Sequence, residues 1–176
     1  MATRCCSTSI AERMSDSARN FVAQQGVAIA DPAACEIMTS ALLFQPRVVA
    51  VWALVAAMLR SGWMFVALGV VLWWCAVVPA ANPFEWVYNR FGVRHRLTPA
   101  PPPRRFSQGM AGTFALTIGT AMLLGWTWTA IVVGALFAVA LAALNVGRLC
   151  VGSFVYHLVR GNLGFAMRTL PWGRGA

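Results

Sequence analysis

A stretch of the chain from Phe106 to Gly147 contains no charged residue, and this run of 42 residues restricts the possible folds more than any other feature. As one α-helix it would be about 63 Å long, roughly twice the thickness of the hydrocarbon core of a bilayer. Two membrane spans joined by a turn fit the run better, and Gly125-Trp126 supplies typical turn residues. The run therefore predicts a helical hairpin.

A second apolar segment, from Val48 to Phe84, contains only one charge, Arg60. This segment is also too long for a single crossing, so we expect another hairpin that turns between Arg60 and Trp63. The fold class predicted is an all-α integral membrane protein with four transmembrane helices in two similar hairpins. The predicted spans cover residues 46–60, 63–81, 107–124 and 127–147. Four residues are expected at the membrane interfaces: Trp63, Trp126, Arg60 and Glu85.

The remaining segments are polar or basic. We expect a polar N-terminal arm at 1–43, weakly structured over residues 1–30 and with a short helix from Pro32. An Arg/Pro-rich loop is expected at 92–105, with its consecutive prolines as an extended spacer. The hairpins then occupy 44–91 and 106–160, and a basic tail occupies 161–176.

Composition supports a membrane location and indicates an orientation. The chain is 59% hydrophobic and only 11% charged, which nearly excludes a soluble domain. All 14 basic residues are arginine, and 11 of them follow residue 43, where there is only one acid. Arginines that flank apolar segments are typical of cytoplasmic membrane loops rather than of a nucleic-acid-binding surface. We therefore expect a multi-pass protein with the 92–105 loop and both termini in the cytoplasm, and no nucleic-acid partner.

The two hairpins resemble each other at an offset of 63 residues. Gln45 then aligns with Gln108, the Gly62-Trp63 pair with Gly125-Trp126, and Asn82 with Asn145. After five further residues, the sequence from Trp86 to Tyr88 resembles that from Phe154 to Tyr156. The matches fall at helix starts, turns and ends, which predicts an internal repeat with a pseudo-twofold axis along the membrane normal. Convergent hairpin chemistry is the alternative.

Small residues recur every four positions on three of the predicted spans. Such stripes allow close helix contact in lipid. They comprise Ala130, Gly134, Ala138 and Ala142 on the fourth span, Ala111, Ala115 and Gly119 on the third, and Ala53, Ala57 and Ser61 on the first. Thr113, Thr117 and Thr120 either line a polar path or bond to the carbonyl one turn back.

Few residues suggest chemistry. Cys150 is a redox candidate, although Ser153 occupies the position at which a second cysteine would complete a Cys-x-x-Cys pair. His157 is a weak candidate for binding a cofactor, and Glu85 is expected to pair with Arg90 or with an arginine of the last segment. We predict no catalytic set and no metal site.

Several motifs resemble a family of small bacterial four-span membrane proteins that is known only as a domain of unknown function. They are Arg105-Phe106-Ser107-Gln108-Gly109, the Gly125-Trp126 turn, and Cys150-Val151-Gly152 followed by Tyr156. The resemblance covers about residues 42–160 and implies a bacterial inner membrane. Similar members often have a second cysteine in the last motif, and some occur beside thioredoxin- or rhodanese-like proteins, which implies a thiol or sulfur role. Ser153 departs from that pattern.

The leading functional hypothesis is a non-catalytic accessory or structural subunit of a larger respiratory or photosynthetic membrane complex. Its expected partners are the lipid bilayer and other membrane subunits, with the arm and one stripe of small residues buried only in the complex. The alternatives are a thiol-redox or sulfur-handling membrane protein that uses Cys150 and a permease for small solutes. No cofactor is predicted, and a bound lipid, quinone or pigment remains an alternative.

Overall fold

The computed structural model describes residues 10–27, 32–91 and 97–170, and within these ranges every regular element is helical. The helices are α1 (Ile10–Gln24), α2 (Pro32–Leu42), α3 (Phe44–Met58), α4 (Gly62–Val77), α5 (Pro83–Phe91), α6 (Pro102–Leu123), α7 (Thr127–Asn145), α8 (Val151–Val159) and α9 (Leu163–Arg168). A 3₁₀ turn, Pro79–Ala81, links α4 to α5. The prediction of an all-α fold is confirmed.

Four of these helices coincide with the predicted spans, and both predicted turns separate them. Helix α3 ends at Met58, and after the C-cap residue Leu59, Arg60 takes a left-handed conformation (φ 49°) that returns the chain into α4. Gly125 takes the same conformation (φ 74°) between α6 and α7. In both turns a backbone N–H bonds back across the helix end, from Ser61 to Ala56 and from Trp126 to Ala121. These bonds satisfy carbonyls that the helix ends leave open.

Among the described residues, two stretches are long and apolar enough to cross a membrane: Ile37–Met58, which runs from within α2 to the end of α3, and Thr127–Asn145, which is α7. Helix α4 is apolar but has only 16 residues. Helix α6 has 22 residues, and its first turn holds two arginines.

Helices α4 and α6 run antiparallel and form the most extensive contact in the fold, because glycine brings their backbones together. A Cβ atom on Gly119 would lie 2.7 Å from the carbonyl oxygen of Gly62, and one on Gly69 would lie 2.9 Å from that of Gly112. Around this contact Phe65, Leu68, Leu72, Ala115 and Ile118 form the core of the bundle.

The N-terminal arm is more ordered than predicted. Helix α2 follows the predicted start at Pro32, but α1 is a second helix whose Phe21 and Val22 are each only 1% exposed. They pack with Leu42, Leu43 and Cys150 across one end of the bundle. The interpretation of residues 1–30 as weakly structured is therefore wrong for α1, because its apolar side chains find a surface on the same chain. We call this the arm end of the bundle.

The loop and the tail also differ from the expectation. Proline at the first position of α6 starts that helix at Pro102, so the predicted extended spacer ends at Pro101. The Arg94-His95-Arg96 part of the loop lies outside the described residues. The tail includes α9, and Asn20 of α1 donates a hydrogen bond to the carbonyl of Leu170 at 3.1 Å. The arm and the tail thus close the arm end together.

Candidate functional site

A buried ion pair lies at the arm end, where α5 and α6 meet. Arg104 Nη1 is 3.0 Å from Glu85 Oε1, and both side chains are less than a tenth exposed. The expected pairing of Glu85 with Arg90 or a C-terminal arginine is wrong, since Arg90 lies over the ring of Phe91 instead. The helical first turn of α6 explains the difference, because it directs Arg104 inward from what the sequence suggested was a loop.

Burial sets the electrostatics of this pair. It raises the pKa of Glu85 above its usual value, and the nearby positive charge of Arg104 opposes the rise. Burial also lowers the pKa of Arg104, against the opposing effects of Glu85, Cys150 and Cys75. Each charge of the pair therefore depends on the other, because neither is exposed to solvent.

Two glutamines extend the ion pair into the bundle. Gln45 Oε1 on α3 accepts hydrogen bonds from Arg104 Nη2 at 3.2 Å and from Gln108 Nε2 at 2.9 Å. Gln45 and Gln108 are the residues that align at the 63-residue offset, and both are buried. Within the described part of the chain, the buried Oε1 atom of Gln108 has no hydrogen-bond partner.

Cys150, the redox candidate, caps the start of α8 beside α6. Its Sγ lies 3.3 Å from Ser107 Oγ, which in turn lies 2.9 Å from Ser153 Oγ. Gly152 lets α8 approach this closely, because a Cβ there would meet the Cα of Ser107 at 2.8 Å. The backbone N–H of Cys150 donates to Gln24 Oε1 of α1 at 3.0 Å. The thiol is 4% exposed, so α1 shields it from a partner protein.

The other described thiol, Cys75, is fully buried on α4. Its Sγ donates to Asn82 Oδ1 at 3.3 Å, and the same oxygen accepts from the N–H of Phe84. Asn82 thus fixes the bend between α4 and α5.

His157, the cofactor candidate, is held by structural contacts. Its Nε2 lies 3.2 Å from the carbonyl oxygen of Gln24, and its ring packs against Phe165 with centroids 4.7 Å apart. The side chain therefore anchors α8 to α1 and α9. Among the described residues, no group of three or more His, Cys, Asp or Glu side chains has an arrangement that would hold a metal ion.

A small cavity of about 70 Å³ lies between these groups. Polar side chains reach it from α3, from α6 and from the residues next to the end of α1 and the start of α8, and apolar walls come from residues such as Val49 and Leu141. Its polar lining consists of Gln45, Arg104, Ser107, Gln108, Gln25 and Cys150. The volume suits roughly two water molecules, and a water there would supply the donor that Gln108 Oε1 lacks. The polar side chains that line this cavity can bind small polar groups such as water.

A larger groove of about 1000 Å³ separates α3 from α7 on one side of the bundle. The stripe of the fourth span faces this groove, together with Ala53 and Ala57 of α3. Nothing lies within 4 Å of a Cβ built on Gly134. Arg60 and Gly125 lie at the turn end of the groove, and Asn145 lies at its arm end. Small residues of α3 and α7 thus line the same groove, which is open at Gly134.

The stripe on α6 differs from that on α7. Ala115 is fully buried and Gly119 touches α4, while Ala111 packs against the core. The interfacial candidates Trp63 and Trp126 are both exposed beside the turns. Glu85 is instead enclosed by the chain.

A second groove, of about 720 Å³, lies between α4, α6 and α7. Its walls include Trp73, Phe106 and Phe114, and Arg105 lies at its arm end. Thr113 and Thr117 also line it, but their hydroxyls donate to the carbonyls one turn back, at 3.0 and 2.9 Å. Of the two alternatives given for the threonines, bonding to the carbonyl one turn back therefore holds for Thr113 and Thr117.

The sequence interpretation missed Arg104 and the two glutamines as interior groups. A signal was present, because Gln45 and Gln108 align in the two hairpins and Pro102 is a typical helix start just before Arg104. These two sequence features did not show that three segments far apart in the sequence come together at the arm end.

Comparison with known proteins places the chain in a family. Residues 39–160 match the family described as Domain of unknown function (DUF4395), which covers about two thirds of the chain. The match includes the ion pair, both glutamines, Cys150 and the helices that line the two grooves, and it begins after α1. No curated protein and no solved structure matches the chain. The chain therefore belongs to the DUF4395 family.

Proposed function

We propose that the chain crosses a bacterial inner membrane four times, with its arm end in the cytoplasm. The exposed surface of the bundle supports this proposal, because α7 is almost entirely apolar and only 6% of its span is buried by the rest of the chain. The arginine distribution supports the orientation. Among the described residues, Arg60 is the one arginine at the turn end, and the others cluster at the arm end.

We also propose that the two halves are an internal repeat. The order α3, α4, α5 is followed by α6, α7, α8, and α5 and α8 have nine residues each at matching positions. The hydrogen bond between Gln45 and Gln108 adds support, because equivalent residues near a twofold axis meet each other.

The function that the geometry favours is that of a non-catalytic accessory subunit of a larger membrane complex. The observation that carries this proposal is the α3/α7 groove, whose two walls are lined with small residues. In a membrane, small side chains allow another helix to approach closely. We propose that a transmembrane helix of a partner subunit packs there. The arm gives no further support, because the chain itself buries Phe21 and Val22.

Substitution within the groove tests this proposal. Ala138→Leu adds bulk to the groove wall and is expected to release the chain from complexes extracted in mild detergent, as measured by native mass spectrometry. Ala135→Leu is the matched control, since Ala135 is exposed on the same helix but lies outside the groove. The proposal would be contradicted if the unmodified protein is extracted as a stable monomer. It would also be contradicted if both variants lose their partners to the same extent.

A thiol role for Cys150 is the second candidate. Cys150 lines the small polar cavity, which supports this candidate, whereas its thiol donates to the neutral Ser107 Oγ and its burial beneath α1 restricts access. Cys150→Ser separates the two proposals, because an accessory subunit should keep its assembly and its host activity. Loss of host activity at a normal protein level would favour the thiol role. The permease alternative has less support, because Thr113 and Thr117 use their hydroxyls within α6.

A further inference from the structure

We propose that the groove between α4, α6 and α7 binds one anionic phospholipid, with Arg105 at the headgroup phosphate and an acyl chain along the aromatic wall. This proposal rests on the membrane location proposed above but not on the accessory role.

The shape of the groove suits an acyl chain. Its volume is about 720 Å³, and it is open along the side that would face lipid. The walls are bulky and apolar: Trp73 on α4, Phe106 and Phe114 on α6, and Val133 on α7. Gly109 forms part of the floor, where a Cβ would lie 4.0 Å from the indole of Trp73. Bulky walls do not allow two helix backbones to approach, so this groove differs from the one between α3 and α7.

Arg105 supplies the charge at one end. Its Nε donates to the carbonyl oxygen of Ala76 at 2.8 Å, which fixes the guanidinium at the arm end of the groove. No carboxylate pairs with Arg105 among the residues whose side chains are described, whereas its neighbour Arg104 is committed to Glu85. The terminal nitrogens of Arg105 are therefore available to a phosphate, which guanidinium recognises well.

A second cation is connected to the same groove through two aromatic rings. The ring of Tyr156 is 5.8 Å from that of Phe106, which lines the groove, and the Arg160 guanidinium lies 5.7 Å above the Tyr156 ring. Arg160 is exposed. Basic groups beside an apolar cleft at the cytoplasmic end of a bundle are a recurrent site for anionic lipid headgroups.

Lipid binding by the purified full-length chain tests the inference. Native mass spectrometry in detergent would compare phosphatidylglycerol with phosphatidylcholine of the same acyl chains. We expect phosphatidylglycerol to be retained preferentially, and Arg105→Gln to lower that retention roughly fivefold. Arg47→Gln is the matched control, because Arg47 is an exposed arginine of α3 at the same end that lies outside the groove.

A second pair of variants tests the acyl-chain part. Thr113→Phe would fill the groove and should lower phosphatidylglycerol retention, whereas Thr120→Phe adds the same bulk at an exposed position of α6 outside it. Equal retention of the two lipids, equal losses in Arg105→Gln and Arg47→Gln, or an unaffected Thr113→Phe would each overturn the proposal. The assay does not depend on orientation or on partner subunits, so its failure is distinct from failure of the accessory role.

Discussion

Arg104 joins three segments that are far apart in the sequence. It contacts Glu85 of α5 and Gln45 of α3 from the first turn of α6. A buried charge with two partners of this kind is costly to remove singly, because the remaining charge stays enclosed. At the residue scale, this group holds the arm end together.

Replacing Arg104 should make the stability of the fold depend more steeply on pH. The pKa of Glu85 is raised in the fold, so its contribution to stability is complete below its ordinary value of 4.5 and is lost as pH rises through the folded value. The positive charge of Arg104 limits that loss of stability, because it stabilises the ionised carboxylate of Glu85. Arg104→Met should therefore cost about 3 kcal/mol of unfolding free energy at pH 7.5 and less at pH 5. Thermal unfolding in detergent at both pH values measures the difference.

The control for this prediction is the double variant Glu85→Gln with Arg104→Met, which removes both charges. It should recover much of the lost stability, and the dependence on pH that Glu85 causes should disappear. Arg47→Met should have little effect, because Arg47 is exposed. The ion-pair account fails if the double variant is no more stable than Arg104→Met alone.

At the scale of the helices, glycine distinguishes the two interhairpin contacts. Helices α4 and α6 touch through Gly62, Gly69, Gly112 and Gly119, whereas α3 and α7 leave an open groove despite their small residues. The sequence interpretation identified stripes of small residues, but it did not predict which stripe makes a close helix contact and which lines an open groove. A stripe shows which helix face permits close approach, and the position of the neighbouring helix decides whether the approach occurs.

Matched glycine substitutions should reproduce this difference. Gly119→Ala places a Cβ within 2.8 Å of backbone atoms of α4 and should lower the unfolding free energy by about 1–3 kcal/mol. Gly134→Ala meets nothing within 4 Å and should be neutral or stabilise by up to about 1 kcal/mol, through better helix propensity. Thermal unfolding of the two variants provides the comparison, and equal destabilisation would contradict the proposed packing.

At the scale of the whole molecule, the charges are separated along the bundle axis. The turns at Arg60 and Gly125 lie at one end, and the arm, the buried ion pair and the tail lie at the other. A helical hairpin pair of this kind has a preferred orientation if it spans a membrane, because arginine-rich ends remain in the cytoplasm.

Cysteine labelling in intact cells should report this orientation. In a background in which Cys5, Cys6 and Cys35 are replaced by serine, Ser61→Cys should react with an impermeant maleimide. Thr98→Cys should react only after permeabilisation; Thr98 is exposed in the fold, so burial would not explain its protection. The native thiols Cys75 and Cys150 are buried and give little background. The reverse pattern would overturn the orientation, and labelling of both sites in intact cells would overturn the four-span proposal.

The sequence by itself determined the helical class and the positions of α3, α4, α6 and α7, because charge-free length, turn residues and prolines act locally. It also located Cys150 and the aligned pair Gln45 and Gln108. Only the tertiary structure decided that Arg104 pairs with Glu85, that α1 covers Cys150, and that the α7 stripe faces a groove beside α3. These contacts join residues up to 126 positions apart. No local pattern encodes them, because they depend on how completed helices pack against one another.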